Sequence, residues 1–262
     1  MNVFHFGNAD GPLFGAHHEP APSNDLNRGV VLCAPIGLEY LRSHWCFRRL
    51  ADRLAIAGMH VMRFDYTGQG DSWGGDDNAS IDQWTRDVMD AIEELRDASG
   101  ASKISLVGLR FGSALAYMAA ARSEGIDKLI LWDPVSQGAA YVGELRKLHD
   151  YRLSRWKFSR DTKVGSNGKQ ELIGRVWPTG LINGIESFSL SDQRPPVRDI
   201  YVLGSRDRPE YGAIGEHWPE PGVSRRIIAA AGDWDVLDEM DEALLAAPIE
   251  AAIADILSDN GS

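Results

Sequence analysis

The sequence predicts a single α/β domain whose mostly parallel, doubly wound sheet has helices on both faces. Short apolar runs such as Val30–Cys33 and Lys103–Val107 have the length of buried parallel strands. They alternate with amphipathic segments, of which Ser80–Ala98 is the clearest because apolar residues recur there every three or four positions. Short connections between strands and helices favour a parallel sheet covered on both faces. With 262 residues, the chain is expected to form one domain over residues 1–262.

The individual elements have recognisable start and stop signals. The first 28 residues indicate an antiparallel hairpin, because the turn NADG separates two short apolar segments. A first helix is expected to begin at Ser43 and to stop at Gly58, while Ser80 and Gln83 have capping-box spacing at the second helix. Further strands and helices are predicted at His60–Asp65, Lys128–Trp132, Arg198–Leu203 and Arg226–Ala230 (strands) and at 113–123 and Ile249–Leu257 (helices).

One segment interrupts this alternation. Residues 138–196 separate two predicted strands and contain further helical patterns, so we predict a lid inserted over the strand ends. Between Arg146 and Arg175 there are nine Lys or Arg residues against three Asp or Glu, although the whole chain has a net charge of −11. Most charge runs of this kind are solvated helix faces. A position above a cleft also suits the steering of anions.

The composition excludes several classes of function. A net charge of −11 argues against nucleic acid and against an anionic membrane surface as partners. No run approaches the ~18 apolar residues of a membrane span, and no signal peptide is evident. Cys33 and Cys46 are too few for a disulfide framework or a zinc site. We therefore expect a cytoplasmic protein without metal or cofactor, and the sequence leaves the oligomeric state open.

The most informative motif is KISLVGLRFGSALA, which runs from a predicted strand through a sharp turn into an Ala-rich helix. Gly108 and Gly112 bracket the turn, as they do in the nucleophile elbow G-x-S-x-G. Both glycines are needed because the turn is strained and the strand and helix pass closely. The central position holds Arg110, whose guanidinium stays protonated and is neither a nucleophile nor a general base. We therefore expect no serine-hydrolase activity.

Four fragments in this order, CAPIGLEYLRSH, RFDYTGQGDS, GLRFGSALA and LWDPV, resemble the α/β-hydrolase superfamily. Within it, they are similar to exosortase-associated hydrolase-like proteins and related members of biosynthetic clusters, where the elbow often has the form G-L-R-x-G. The resemblance covers nearly the whole chain. It implies the α/β-hydrolase fold and a place in a biosynthetic pathway.

The same resemblance assigns positions to the catalytic machinery, most of which is missing. It places the acid after the strand Ile200–Leu203, where Asp207 stands, and the His in AAAGDWDVLDEM, which contains no His. The oxyanion hole would take backbone amides from Phe111 and from the turn of Pro35, Ile36 and Gly37. These donors require no particular side chain.

Two roles are open for Arg110. Its planar fork of donors suits a carboxylate or phosphate, so Arg110 is a candidate ligand-binding residue. The alternative is an internal ion pair, because a buried Arg without a partner is very costly. Asp207 is the first candidate partner by its place in the fold, and Asp133 and Glu39 are the others. Both roles hold together if a ligand displaces or shares the partner.

Glu39, His44 and Trp234 each have a functional and a structural interpretation. Glu39 and His44 form a candidate acid–base pair at the mouth of the cleft. In the alternative, Glu39 meets Arg42 or another local Arg, and His44 lies in the first turn of its helix. Trp234 is a candidate for lining an apolar ligand pocket, and core packing is its alternative.

These observations leave three hypotheses. The first is a non-hydrolytic protein that binds a small anionic or acyl-carrier-linked ligand, as an accessory protein of a biosynthetic pathway. The second is an enzyme of altered chemistry (a lyase, cyclase or transferase) in which Arg110 orients the substrate while Glu39, His44 or Asp207 moves protons. The third is an ester or thioester hydrolase with a relocated nucleophile. Fold membership alone does not decide among them.

Overall fold

The computed structural model describes residues 1–155, 168–190, 193–208, 222–230 and 246–259, together with residues 211, 214, 218, 232 and 234. The strands are β1 (Asn2–Phe6), β2 (Leu13–His18), β3 (Arg28–Cys33), β4 (His60–Phe64), β5 (Lys103–Leu109), β6 (Ile126–Trp132), β7 (Lys169–Leu172), β8 (Arg175–Pro178), β9 (Asp199–Gly204) and β10 (Val223–Ile227). The helices are α1 (Leu38–Ile56), α2 (Ile81–Ser99), α3 (Phe111–Arg122), α4 (Gly138–Arg155), α5 (Thr179–Ser187) and α6 (Ala247–Ser258).

In the described part of the chain, eight strands form one sheet in the order β1-β2-β4-β3-β5-β6-β9-β10. The strands from β4 to β10 in this order are parallel to their neighbours. The β1–β2 hairpin joins β4 as an antiparallel extension, and β7 and β8 form a separate antiparallel pair. The predicted fold class and the predicted hairpin are confirmed.

Helices cover both faces of this sheet. Successive residues of a strand point to opposite faces, so Val31 and Cys33 of β3 pack in one core while Val30 and Leu32 pack in the other. The first core includes residues of α2 and α3, and the second includes residues of α1 and α6. In such a sheet, the carboxyl ends of the parallel strands lie along one edge, and ligands bind at that edge in open α/β folds. That edge is where β3, β5 and β6 lead into α1, α3 and α4.

The helix boundaries agree with the capping signals in one case and differ in another. Ser80 is the N-cap of α2, as predicted, and its hydroxyl accepts a hydrogen bond from the Gln83 amide at 3.1 Å. The prediction that the first helix begins at Ser43 is wrong, because α1 begins at Leu38. Gly37 has φ 64°, so the turn ends there and the helix follows at once. The earlier start makes Glu39 a residue of the first turn and places His44 in the second.

The last strand also differs from its prediction. The apolar run Arg226–Ala230 indicated a strand, whereas β10 spans Val223–Ile227 and pairs with β9. Because β10 is an edge strand with exposed residues, its pairing does not require an apolar run.

Between β6 and β9 the chain forms α4, the β7–β8 pair and α5. This is the interval 138–196 for which the sequence predicts a lid, and its role as a lid stays a prediction. Residues 156–167 of the basic segment, as well as 191–192, lie outside the described residues. Among the described helices, none has the length and apolar character needed to span a membrane.

Candidate functional site

The turn between β5 and α3 has the geometry of a strained elbow. Arg110 adopts φ 53° and ψ −122°, a backbone conformation that residues other than glycine rarely adopt. A Cβ on Gly108 would lie 2.5 Å from the carbonyl oxygen of Gly112, and one on Gly112 would lie 2.3 Å from that of Cys33. The two glycines are therefore required by the close passage of backbone atoms, as the motif predicts.

The Arg110 guanidinium forms a buried ion pair with Glu39. Its Nε donates to Oε1 of Glu39 at 2.8 Å, and the two residues are 3% and 2% exposed. The other carboxylate oxygen of Glu39 accepts a hydrogen bond from the Tyr141 hydroxyl at 3.0 Å. The pair thus joins the elbow to the first turn of α1 and to α4.

Two further groups contact the same guanidinium. Nη1 donates to the backbone carbonyl of Asp133 at 3.4 Å, and Nη2 lies 3.9 Å from Oε2 of Glu144. The Tyr141 ring lies 5.7 Å from the guanidinium carbon, which is within range of a cation–π interaction. Glu144 differs from Glu39 in that its side chain is 50% exposed.

The charges of this cluster stabilise one another. Burial alone would lower the pKa of the Arg110 guanidinium, but the Glu39 carboxylate raises that pKa above its ordinary value. Burial raises the pKa of Tyr141 well above its ordinary value, and Glu39 raises it further. Arg110 therefore stays charged and Tyr141 stays a neutral hydrogen-bond donor at neutral pH.

The first candidate partner of Arg110 was wrong. Asp207 follows β9 as the resemblance implies, but its side chain is exposed, whereas Glu39 occupies the partner position. Glu39 was among the alternatives, although it was also expected to meet Arg42. The ranking failed because it assumed a later start of α1, whereas the helix begins at Leu38 and carries Glu39 in its first turn.

A second buried carboxylate near the strand ends is that of Asp133, directly after β6. Its Oδ1 accepts hydrogen bonds from the Ser205 amide at 2.7 Å and the Tyr211 hydroxyl at 3.1 Å. Its Oδ2 accepts one from the Trp234 indole at 2.9 Å. Asp133 is 2% exposed, so this carboxylate is held entirely by protein donors.

Trp234 packs in the core of the described residues, which is the structural alternative that the sequence left open, and its ligand-binding assignment stays a prediction. It is 1% exposed, and its ring packs edge-on against Trp132 with the ring centroids 5.4 Å apart. It lies in the stretch to which the resemblance assigns the catalytic His. The sequence did not predict that the Trp234 indole donates a hydrogen bond to Asp133. The signal available for this contact was the Asp that follows the strand in LWDPV.

Glu39 and His44 do not form an acid–base pair. Glu39 points to Arg110 and Tyr141, whereas His44 contacts the rings of Tyr40 and Trp45 and lines a different cavity. The two residues are five positions apart on α1, which turns their side chains to different faces. Burial lowers the pKa of His44, so its imidazole is neutral at neutral pH.

The proposed oxyanion residues have buried side chains. Phe111, at the start of α3, is fully buried and stacks on Tyr141 at 5.8 Å between ring centroids. Ile36 is 3% exposed, and a Cβ on Gly37 would touch the Trp177 ring at 3.0 Å. Only backbone groups of these three residues are therefore suited to a ligand, and their role stays a prediction.

A cavity of about 320 Å³, the Arg110 cavity, opens beside the ion pair. Glu39, Arg110 and Tyr141 form its inner wall, and Glu144, Lys147 and Tyr151 of α4 form its outer wall. Its volume is at the lower end of the range for small-molecule sites, about 300–1,000 Å³. The elbow therefore faces a cavity, and the group that it presents there is a permanent cation.

Comparison with known families identifies the fold that carries this site. Residues 40–201 match the model of the serine aminopeptidase family S33, a segment that includes the elbow and spans well over half of the chain. The chain belongs to this family. The S33 family is part of the α/β-hydrolase superfamily, so the superfamily that the sequence fragments indicated is confirmed.

Solved structures support the same fold. The ferulic acid complex of Est1E from Butyrivibrio proteoclasticus has a TM-score of 0.66 at 12% identity, over 97% of this chain and 96% of that one. Mouse α/β hydrolase domain-containing protein 10 has a TM-score of 0.61 at 17% identity, over 98% of each chain. The bottromycin epimerase BotH, in complex with bottromycin A2, has a TM-score of 0.60 at 18% identity, over 98% of this chain and 100% of that one. No curated protein matches the sequence.

Proposed function

We propose that this S33-family chain is a non-hydrolytic protein that binds a carboxylate- or phosphate-bearing ligand. The observation that carries the proposal is the buried pair of Arg110 with Glu39 at the position of the hydrolase nucleophile. A guanidinium cannot attack an acyl group or accept a proton. Because the central residue of the elbow is an Arg held in an ion pair, the elbow offers no nucleophile for acyl transfer.

The nearby hydroxyl and thiol groups are poorly placed to replace a nucleophile. Ser113 of α3 is fully buried, and its hydroxyl donates to the Gly108 carbonyl at 2.6 Å. Burial raises the pKa of the Cys33 thiol, which disfavours the reactive thiolate. These contacts weigh against a relocated nucleophile at these two positions.

The anion-binding part of the proposal rests on the asymmetry of the two acidic partners. Glu39 is buried and fixes the guanidinium through Nε, whereas Glu144 is half-exposed and only approaches Nη2. A ligand carboxylate or phosphate can replace Glu144 beside Nη2 and leave the buried pair intact. The cavity lies on that side, and Lys147 adds a second cation to its wall.

The ligand class follows from the size of the cavity and from the resemblance to proteins of biosynthetic clusters. A small anionic intermediate, or the phosphopantetheine arm of an acyl carrier, would place its charge on Arg110 and its remaining atoms along α4. This would make the chain an accessory protein of a biosynthetic pathway, similar to the exosortase-associated hydrolase-like proteins.

An enzyme of altered chemistry is the second candidate, and one observation favours it. BotH is named an epimerase, so an α/β-hydrolase fold is not limited to hydrolysis. In this case Arg110 would orient the substrate, and the reaction would be a lyase, cyclase or transferase reaction. Turnover of a bound ligand, followed by mass spectrometry, distinguishes this candidate from pure binding.

The first experiment tests the absence of hydrolysis. Fluorophosphonate labelling and short p-nitrophenyl esters should give no adduct and no activity above background, with an active S33 esterase as the positive control. Esterase activity that disappears when one Ser is replaced would overturn the non-hydrolytic proposal.

The second experiment tests the anion site by calorimetry with coenzyme A and with inorganic phosphate. Glu144→Gln should tighten binding by up to about fivefold, because an exposed pair contributes about 0–1 kcal/mol and this one competes with the ligand. Asp150→Asn is the matched control, since Asp150 is an exposed acid of the same helix outside the cavity lining. Equal affinities of the two variants, or binding of neutral compounds only, would contradict the anion site.

A further inference from the structure

A second cavity lies on the other side of α1, where the β1–β2 hairpin extends the sheet. It has a volume of about 280 Å³. Val3, Ala16, Arg63 and Leu32 are directly paired across β1, β2, β4 and β3, so they form one row on the same face of the sheet. This row forms the floor of the cavity, and Tyr40, His44 and Phe47 of α1 form its wall.

Arg63 is the unusual residue of this row, because charged side chains rarely lie among apolar residues without a partner. Among the described residues, no carboxylate oxygen lies within ion-pair distance of its guanidinium. Its contacts are a hydrogen bond from Nε to Nε2 of His18 at 3.1 Å and an approach of Nη2 to Sδ of Met1 at 3.6 Å. Most donors of its terminal nitrogens therefore remain for a ligand.

A hydrogen-bond relay holds Arg63 in place. Nδ1 of His18 lies 2.8 Å from Oδ1 of Asp52, and Nε2 of His18 faces the Arg63 donor. Because Nε2 must accept from a guanidinium, His18 carries its proton on Nδ1, toward Asp52. Burial and the neighbouring Arg63 lower the pKa of His18, which keeps it in this neutral form. The relay occupies Nε of Arg63, so the edge formed by Nη1 and Nη2 is the part of the guanidinium that can face a ligand.

The acids of the cavity limit how much negative charge it accepts. Asp65 and Asp71 both line it. The oxygens of Asp65 accept hydrogen bonds from the Tyr40 hydroxyl at 2.6 Å and from the Asp71 amide at 3.0 Å. Arg48 lines the cavity too, so the two carboxylates balance the two guanidinium groups of Arg48 and Arg63. The cavity therefore has no excess positive charge to hold a dianion such as phosphate.

We propose that this cavity binds a small monocarboxylate with an apolar tail, with its carboxylate on the Arg63 fork and its tail over Val3 and Phe14. The fork matches one carboxylate through two parallel hydrogen bonds. The half-exposed Val3 and the partly buried Phe14 supply the apolar surface for the tail. This site is separate from the Arg110 cavity and does not depend on the function proposed for it.

The test uses octanoate, with octanamide as the uncharged analogue of the same length and octyl phosphate as the dianion. Calorimetry should show a saturable octanoate site that depends on Arg63, with octanamide and octyl phosphate binding there at least tenfold more weakly. Arg63→Gln should weaken octanoate at least tenfold, and Arg63→Lys should lie between because it keeps the charge but lacks the fork. Arg53→Gln, an exposed Arg of α1 outside the cavity lining, is the matched control.

A second variant guards against loss of folding in Arg63→Gln. Val3 is 52% exposed, so Val3→Glu should fold normally while its carboxylate repels the ligand and lowers octanoate affinity at least tenfold. Octanoate binding at the Arg63-dependent site should be the same in Asp150→Asn as in the wild type, because Asp150 lines neither cavity. Equal binding of octanoate and octanamide, no octanoate site, or wild-type affinity in either Arg63→Gln or Val3→Glu would overturn the proposal.

Discussion

At the scale of single residues, the Arg110–Glu39 pair determines what the elbow can do. Removing a charge from water is expensive, and a buried pair recovers that cost only when both partners are present and hydrogen-bonded. Here the Glu39 carboxylate accepts from Arg110 Nε and from the Tyr141 hydroxyl. The cluster therefore acts as a unit, and losing one member leaves the others in an unfavourable environment.

The first prediction is that Arg110→Met lowers the free energy of unfolding by roughly 3–5 kcal/mol, because Glu39 is left buried and charged. The double variant Arg110→Met/Glu39→Gln should recover a large part of this loss. Urea unfolding of the four members of this double-mutant cycle measures the coupling directly. Asp207→Asn is the control and should be neutral, and additive effects of the two cluster substitutions would show that the pair is not coupled.

Some site residues could be predicted from the sequence and others could not. Arg110 was evident because the elbow motif fixes its place on the backbone. The identity of its partner depends on side-chain geometry across several elements, so the ranking that put Asp207 before Asp133 and Glu39 was wrong. Tyr141 was missed because nothing in its local sequence separates a core tyrosine from one that donates to a buried carboxylate.

At the scale of elements, the contact between α3 and β3 is the tightest constraint on the elbow. A methyl group on Gly112 would overlap the backbone oxygens of both Cys33 and Ala34, at 2.3 and 2.4 Å. Backbone atoms at the end of a central strand cannot move aside as a flexible side chain can. The position of Arg110 above the sheet therefore depends on this glycine.

The second prediction compares two Gly→Ala substitutions in helices. Gly112→Ala should destabilise the protein by about 3 kcal/mol through overpacking. Gly143→Ala in α4 has no atom within 4 Å of the new methyl group and should be neutral or stabilise by up to about 1 kcal/mol. Thermal unfolding of both variants tests the difference, and similar melting temperatures would contradict the close approach at Gly112.

Element boundaries were predictable where a local signal fixes them. Ser80 caps α2 as expected because a side-chain hydrogen bond defines that end of the helix. The start of α1 was missed because Gly37 begins the helix through its own backbone conformation, with no capping side chain. The edge strand β10 was displaced because its position follows from pairing with β9, a contact between distant parts of the chain.

At the scale of the whole molecule, buried histidines couple stability to pH. Burial, and then His60, lowers the pKa of His17, while burial, and then Arg63, lowers the pKa of His18 from the same ordinary value of 6.5. The unfolded chain therefore takes up protons near pH 6.5 that the folded protein does not bind. The resulting stability is complete above that pH and is lost as the pH falls below it.

The third prediction follows from this linkage. The urea concentration at the unfolding midpoint should decrease as the pH is lowered from about 7.5 to about 5.5, the range in which the histidines of the unfolded chain become charged. His17→Gln should flatten the dependence, since one of the groups responsible is removed. A midpoint that is constant or rises over this range would show that other groups dominate.

The fourth prediction concerns the basic segment of residues 146–175 and the net charge of −11. If these cations steer an anion toward Arg110, the association rate of coenzyme A should fall with added salt more than its dissociation rate changes. Screening acts over about 8 Å at physiological ionic strength, so distant charges of this segment would affect the rate of encounter more than the final affinity. Stopped-flow measurements at two salt concentrations test this, and an association rate independent of salt would contradict steering.

The fold as a whole was the most predictable feature, because alternating strands and helices leave few ways to cover both faces of a sheet. The antiparallel extension was expected as a hairpin from its turn sequence. Its cavity was not foreseen, since it depends on Arg63 of β4 lying opposite Ala16 of β2. Such a row becomes visible only when strands distant in the sequence are placed side by side.

The Trp234–Asp133 hydrogen bond bears on how a hydrolase could be evolved from this scaffold in the laboratory. Asp133 is already held by Ser205 and Tyr211, so Trp234→His would give an imidazole a carboxylate to orient it. Arg110→Ser alone would leave Glu39 charged in the interior and no base to activate the hydroxyl. The three positions are therefore epistatic, and a library built on Arg110→Ser should start from Glu39→Gln and Trp234→His.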